Sequence, residues 1–297
     1  MSILTGGAYN AVIENAVKSE TGADFRIVDI KESKTGAMHP AARFIGEKFD
    51  VFVKAGQNPF SPEQFRAEAK ELAYIKSHTD IKTPEVYGVA QSGDTVLLIM
   101  EAAKDVKPET DADFAALGRG LAQLHSVKSD RCGFDFTTYL GIFRQDNTRE
   151  KSWAEFFGRH RLLDTMKYAV DKGRIDAEHI KLVERLVEKL PSICPAQSDF
   201  SLLHGDPWLG NLMFDGKNLV LIDPALYYGN REIDLTTVNF FCPVPQAFFD
   251  AYNEVYPIEN GFSDRADLWK LNQWLGHVAL FGEKYLIKIK EAADKYL

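Results

Sequence analysis

At 297 residues the chain is long enough for about two ordinary domains, or for one bilobal unit with a cleft, and either can bury a substantial core. Its composition, 45% hydrophobic and 26% charged, excludes the disordered and fibrous classes. A net charge of −8 argues against a nucleic-acid partner, because phosphate-backbone binders rely on clustered Lys and Arg. Any anion must be held locally.

Three cysteines, Cys132, Cys194 and Cys242, form no CxxC pair and cannot all be bridged within one chain, which fits a reducing compartment. The start lacks the basic segment and long apolar core of a signal peptide, and the longest apolar run, Val96 to Met100, is far too short to cross a bilayer. A cytoplasmic protein without membrane association is expected.

In chain order, Tyr9 to Lys18 has helical spacing, stopped by Thr21-Gly22. Strand-like runs follow at Phe25 to Ile30, Arg43 to Ile45 and Phe49 to Lys54, and read as an antiparallel sheet. Ser61-Pro62 opens a helix whose apolar face carries Phe65, Ala69, Leu72 and Ile75 and which ends near Ser77-His78. Two more strands, Pro84 to Gly88 and Thr95 to Met100, flank the turn Ser92-Gly93-Asp94. Beyond Glu101 the pattern becomes helical: Asp111 to His125, Ser152 to Val170 and Ala177 to Leu190, then strand and turn signals from Leu202 to Asp223, then helices from Ile233 onward. The expectation is an α+β bilobal fold, with a small antiparallel-sheet lobe over residues 1–101 and a larger helical catalytic and substrate lobe over 102–297.

Chemistry concentrates in Leu202-Leu203-His204-Gly205-Asp206-Pro207-Trp208-Leu209-Gly210-Asn211-Leu212 and in Leu219-Val220-Leu221-Ile222-Asp223-Pro224. Phosphoryl transfer needs a carboxylate at the acceptor hydroxyl, and an amide oxygen and second carboxylate for Mg²⁺. Asp206, Asn211 and Asp223 supply those types in that order, with Asp206 and Asn211 at the D-x-x-x-x-N spacing of a kinase catalytic loop. Taken singly, each residue reads more readily as a turn former; the ordered trio favours a catalytic base, Asp206, with Asn211 and Asp223 as metal ligands. His204 fits a loop-orienting role. Lys54 ends the run Val51-Phe52-Val53, and Glu68 on the next helix can pair with it to anchor nucleotide phosphates; Glu71, one turn on, is a second candidate partner. The phosphate loop should lie in Lys34 to Ala42, whose only glycine is Gly36.

With these residues in place the sequence resembles the fructosamine kinase (ketosamine kinase) family, relatives of aminoglycoside and choline kinases within the protein-kinase-like fold. The resemblance rests on Phe52-Val53-Lys54, Phe65-Arg66-Ala67-Glu68-Ala69, Leu121-Ala122-Gln123-Leu124-His125, Trp153-Ala154-Glu155-Phe156-Phe157, the 204–211 loop, and above all Ile222 to Leu235. It implies ATP and Mg²⁺ as cofactors and γ-phosphate transfer to the 3-hydroxyl of a ketosamine, free or on a glycated protein, in glycation repair. It also implies that Met100, Glu101 and Ala102 form the adenine-contacting hinge. Trp208 either faces the sugar ring or packs beneath the loop, and Gln145, Asn147 and Arg161 are polar candidates for acceptor contacts. Pro207 and Asn230 stand where the family usually has Leu and His, which leaves acceptor identity open. An aminoglycoside- or choline-type kinase and a nucleotide-binding pseudokinase are the alternatives; the oligomeric state is open.

Overall fold

The computed structural model describes residues 3–33 and 38–297. In chain order, the first segment carries α1 (Asn10–Thr21), β1 (Ile27–Glu32), β2 (Ala41–Gly46), β3 (Asp50–Gly56), α2 (Ser61–His78), β4 (Val86–Ser92) and β5 (Thr95–Glu101). Next come α3 (Asp111–His125), β6 (Lys128–Ser129), β7 (Thr138–Leu140), β8 (Phe143–Gln145), α4 (Trp153–Phe157), a π-helical turn (Gly158–Leu163), α5 (Asp164–Asp171), α6 (Ala177–Ile193) and β9 (Phe200–Leu203). The hairpin β10 (Leu212–Phe214) and β11 (Leu219–Leu221) and the strand β12 (Tyr227–Gly229) follow. The chain ends in α7 (Glu232–Val238), α8 (Gln246–Val255), α9 (Phe262–Trp269), α10 (Leu271–Phe281), a 3-10 turn (Glu283–Tyr285) and α11 (Leu286–Tyr296). The chain groups into two compact units, Met1–Glu109 with Leu212–Asp223, and Thr110–Asn211 with Pro224–Leu297.

The first unit is built on a five-stranded antiparallel sheet of order β1-β2-β3-β5-β4. The inner strand β5, between β3 and β4, is buried from Thr95 to Met100. Strand alternation divides that run: Leu97 and Ile99 join Val51, Val53 and Ala55 of β3 against Ile13 and Val17 of α1, while Val96, Leu98 and Met100 pack with Phe65 of α2. A strand covered on both faces needs apolar residues at every position, which is why this segment lacks the alternation of its neighbours. Helix α1 stops where expected, at Gly22 in the left-handed conformation (φ 70°). Within this unit the β10–β11 hairpin is tied on by Leu221 N donating to Lys82 O (3.0 Å) and Val106 N to Phe214 O (2.7 Å).

The second unit is mainly helical. Its entry helix α3 begins with a reciprocal capping box between Thr110 and Asp113 and ends at His125, as its pattern predicts. A short antiparallel sheet, β12-β9-β6, lies in the unit, with β9 buried along its whole length. The segment read as one helix from 152 to 170 is interrupted by the π turn, where Gly158 closes on α6: a Cβ there would sit 2.9 Å from Val187 Cγ1. No helix among the described residues is long and apolar enough to cross a membrane.

Candidate active site

In the first unit, alternation along β3 decides where Lys54 points. Val51, Val53 and Ala55 face α1, so Phe52 and Lys54 face α2. The side chain is buried, its Nζ 2.6 Å from Glu68 Oε1 and also bonded to Asp223 Oδ1. Glu68 thus takes the contact with Lys54; Glu71 is buried as well. Burial disfavours the ammonium, but the Asp223 and Glu68 carboxylates outweigh it and hold the Lys54 pKa above its usual value. Glu68 is pushed upward, first by burial and then by the neighbouring Asp223 charge, against the pull of Lys54. Asp223 is the only described non-glycine residue with positive φ, at 53°. A left-handed aspartate costs local free energy, and such strain gathers at functional positions.

The hinge candidates follow directly from β5. Met100 is buried, Glu101 is exposed with its N–H donating to Glu85 O (2.7 Å), and Ala102 donates to Asp50 O (3.3 Å) while its carbonyl accepts from Arg43 Nη2 (3.3 Å). Gly36, the phosphate-loop candidate, lies outside the described residues. A cleft of about 470 Å³ in this unit is lined by Lys76, Lys82, Glu85, Glu101 and Asp215 among others, and includes none of Lys54, Glu68 and Asp223. Its charges are largely matched, since Lys76 pairs with Glu85 and Lys82 with Asp215 (2.5 Å).

In the second unit the 204–211 loop leaves the buried strand β9. Gly205 takes φ 84°, and a Cβ there would lie 2.2 Å from Ala225 O, so the turn admits only glycine without rearrangement. The Asn211 Nδ2 amide donates to Asp206 Oδ2 (3.1 Å) and to Asp206 O (2.9 Å). This clasp commits the nitrogen end of the amide to Asp206 and leaves the oxygen end as the one suited to a hard cation.

The loop is held from beneath by Asp234 of α7, which is fully buried. Its Oδ2 accepts from His204 N (2.7 Å) and its Oδ1 from Gly205 N (3.1 Å). His125, at the end of α3, is 3.1 Å from Asp234 Oδ2 through Nε2 and 2.8 Å from the Tyr252 hydroxyl through Nδ1. Burial lowers the His125 pKa, so the ring is neutral near pH 7, with Nε2–H donating to Asp234 and Nδ1 accepting from Tyr252. Tyr252 in turn accepts from Arg231 Nη1 (3.1 Å). Sequence reasoning gave no role to Asp234. The available signal was a lone carboxylate in the apolar run Ile233-Asp234-Leu235, because an aspartate in such a run must find buried donors.

Gln145, Asn147 and Arg161 are brought together, and all three are buried. Thr138 Oγ1 donates to Gln145 Oε1 (2.9 Å), Asn147 Nδ2 donates to Thr138 Oγ1 (2.8 Å), and Arg161 Nη2 donates to Asn147 Oδ1 (2.7 Å). The Arg161 guanidinium lies 3.9 Å from the Tyr227 ring centroid. Trp208 is half-buried; its ring covers Gly210, where a Cβ would be 2.1 Å from Trp208 Cη2, and meets Phe241 edge-on at 5.6 Å.

A buried Lys–Glu pair on a sheet and helix, and a clasped Asp–Asn loop carried by a small buried sheet, are the parts of a kinase-like phosphotransferase. Solved structures agree on the fold. One from Haemophilus somnus, provisionally named a fructosamine-3-kinase, matches with a TM-score of 0.84 at 28% identity over 96% of each chain. A Thermobifida fusca structure with the same provisional name gives 0.83 at 28%, covering 96% of this chain and 98% of that one. An aminoglycoside phosphotransferase shares the fold alone, with a TM-score of 0.63 at 14% identity over 95% of this chain and 98% of its own. In sequence, a probable ketoamine kinase of Pasteurella multocida is 30% identical over 92% of this chain and 94% of its own length. A family model for fructosamine kinase matches residues 9–297, and the chain belongs to that family. It is accordingly a small-molecule kinase acting on a sugar-amine acceptor.

Proposed function

We infer that the protein transfers the γ-phosphate of ATP to the 3-hydroxyl of a ketosamine, with Asp206 as the base that orients and accepts the hydroxyl proton. The observation that carries this reading is the Asn211 clasp on Asp206, in a loop whose backbone is fixed by Asp234. Proton acceptance needs a carboxylate held in one orientation, and phosphoryl transfer needs little else from the protein beyond positioning and charge. Lys54, steadied by Glu68, anchors the nucleotide phosphates, and Met100, Glu101 and Ala102 supply the hinge for the adenine. Gly36 keeps its role as a proposed phosphate-loop contact.

Magnesium prefers oxygen donors, and the Asn211 amide oxygen and the Asp223 carboxylate are of that kind. The left-handed conformation of Asp223 supports a fixed ligand rather than a generic turn residue. When bound, the ion neutralises charge on the transferring phosphates. Trp208 offers an aromatic face for the sugar. Gln145, Asn147 and Arg161 bond to one another and to Thr138, so their contribution to acceptor binding lies in fixing the wall behind it. Phosphorylation at the 3-position makes a ketosamine adduct labile, which suits repair of glycated amines.

Acceptor profiling tests the reading. A ketosamine, an aminoglycoside and choline are assayed side by side for ATP-dependent ADP release, and the product is located by NMR. A ketosamine phosphorylated at the sugar 3-oxygen with the highest kcat/KM is the expected result. Preference for either other acceptor would overturn it.

A further inference from the structure

Helix α10 is amphipathic in an unusual way. Its inward face carries Leu271, Leu275, Val278 and Ala279, all buried, as helical spacing requires. The other face repeats aromatic rings at 274, 277 and 281, where a solvated helix would carry charge. Phe281 is 56% exposed, and so is Phe241 in the segment after α7. The rings form a continuous track: Trp208 to Phe241 at 5.6 Å, Phe241 to His277 at 5.8 Å, His277 to Phe281 at 5.5 Å, and His277 to Tyr285 at 5.1 Å, with Trp274 stacked on Tyr285 at 6.0 Å. Two exposed phenylalanines joined through half-buried rings make a contiguous patch, which marks a binding face rather than scattered surface residues.

The track begins on the catalytic loop, two residues after Asp206. In a ketosamine the amine nitrogen is attached to C1, separated from the 3-oxygen only by C1, C2 and C3. The substituent on that nitrogen therefore leaves the sugar within a few bonds of the reacting hydroxyl, close to the loop from which the track starts. The nitrogen is a cation near neutral pH, which aromatic faces attract, and the carbon chain beyond it gains by leaving water. His277 donates Nδ1–H to Gln273 O (2.8 Å), and burial lowers its pKa with Lys284 adding to the effect, so it puts no competing charge on the track near pH 7.

Resting on the ketosamine-kinase reading above, we propose that the Trp208–Phe241–His277–Phe281 track is a specificity subsite for the hydrocarbon substituent on the acceptor's amine, selecting ketosamines of alkyl and arylalkyl amines over those of small amines.

The test compares 1-deoxy-1-(benzylamino)fructose with 1-deoxy-1-(methylamino)fructose. The wild-type protein should favour the benzyl adduct in kcat/KM by roughly ten- to hundredfold, expressed in KM, which is the scale expected for burying a phenyl group. Phe241→Ala and Phe281→Ala each remove most of that ratio, whereas Val255→Ala, at an exposed position on α8, keeps it. Equilibrium titration gives the same order without turnover, because Trp208 and Trp274 report on the track by fluorescence while Trp153 and Trp269 are buried. Equal kcat/KM for the two adducts, or a ratio unmoved by both phenylalanine variants, overturns the subsite and leaves the kinase reading standing. Phosphorylation of neither adduct overturns both. A concentration-dependent dimer that Phe281→Ala makes monomeric, with equal kcat/KM for the adducts, reassigns the surface to a second copy of the chain and overturns the subsite.

Discussion

Gly205 shows how one missing side chain shapes the site. The His204-Gly205-Asp206 turn runs against Ala225, with Ala225 N donating to His204 O (2.8 Å), and leaves no room for a Cβ beside Ala225 O. Gly205→Ala combines that clash with a positive φ and should cost more than about 1 kcal/mol of stability. Because the displaced backbone carries Asp206, initial rates should fall further than the shift in denaturation midpoint alone accounts for. Wild-type rates and a wild-type midpoint in urea melts would show that the turn tolerates the change. Lys54 makes a related point about polarity. Its burial is tolerated because β3 alternation aims it at Glu68; the sequence showed only a lysine ending the apolar run Val51-Phe52-Val53, and which face of that run turns toward α2 is set by the folded sheet.

At the scale of elements, regular periodicity was legible and irregular backbone was not. Helix α3 has the span its pattern predicts, and β1 to β5 fall within a few residues of the apolar runs that signal them. The π turn at Gly158–Leu163 was invisible because it inserts a residue while keeping the flanking segments helical. The Asp206–Asn211 spacing was legible as a motif, and the structure adds their hydrogen bond. The support beneath the loop was not, because Asp234 and His125 are 109 residues apart and only the folded chain brings them together. Asp234→Asn tests that support: an amide matches only part of the acceptor demand of the His204 N–H, the Gly205 N–H and His125. An unsatisfied buried group costs about 1–3 kcal/mol. The variant should lose kcat by at least about tenfold while KM for ATP changes little, the split expected of a positioning residue. An equal rise in KM with kcat intact would assign Asp234 to ground-state binding instead.

For the molecule as a whole, the buried His125 and the half-buried His277 set a pH dependence. His125 and His277 have pKa values lowered mainly by burial, whereas in the unfolded chain they titrate near the ordinary value of about 6.5. Below that value the unfolded state binds protons that the native state refuses, so stability is full above about pH 6.5 and falls as the pH drops toward the native pKa values. Glu68 works in the opposite sense, since its raised pKa adds native stability at low pH. Comparing His125→Gln with the wild type in thermal melts from pH 7.5 to 5.5 separates the two: the variant should be less stable at pH 7.5 and lose less on acidification. Parallel curves would remove His125 from the pH response.

The central claim is that Asp206, clasped by Asn211, carries the proton step of phosphoryl transfer to a ketosamine. Its most direct test is ³¹P NMR of a single turnover, with the wild-type protein and Asp206→Asn each mixed with ATP, magnesium and a fructosyl amine, alongside nucleotide binding by calorimetry. The wild type should convert the γ-phosphate signal into a sugar monoester, while Asp206→Asn binds nucleotide with similar affinity and forms ester at least about a thousandfold more slowly, the scale of a lost catalytic base. Ester formation by Asp206→Asn at the wild-type rate would contradict the account.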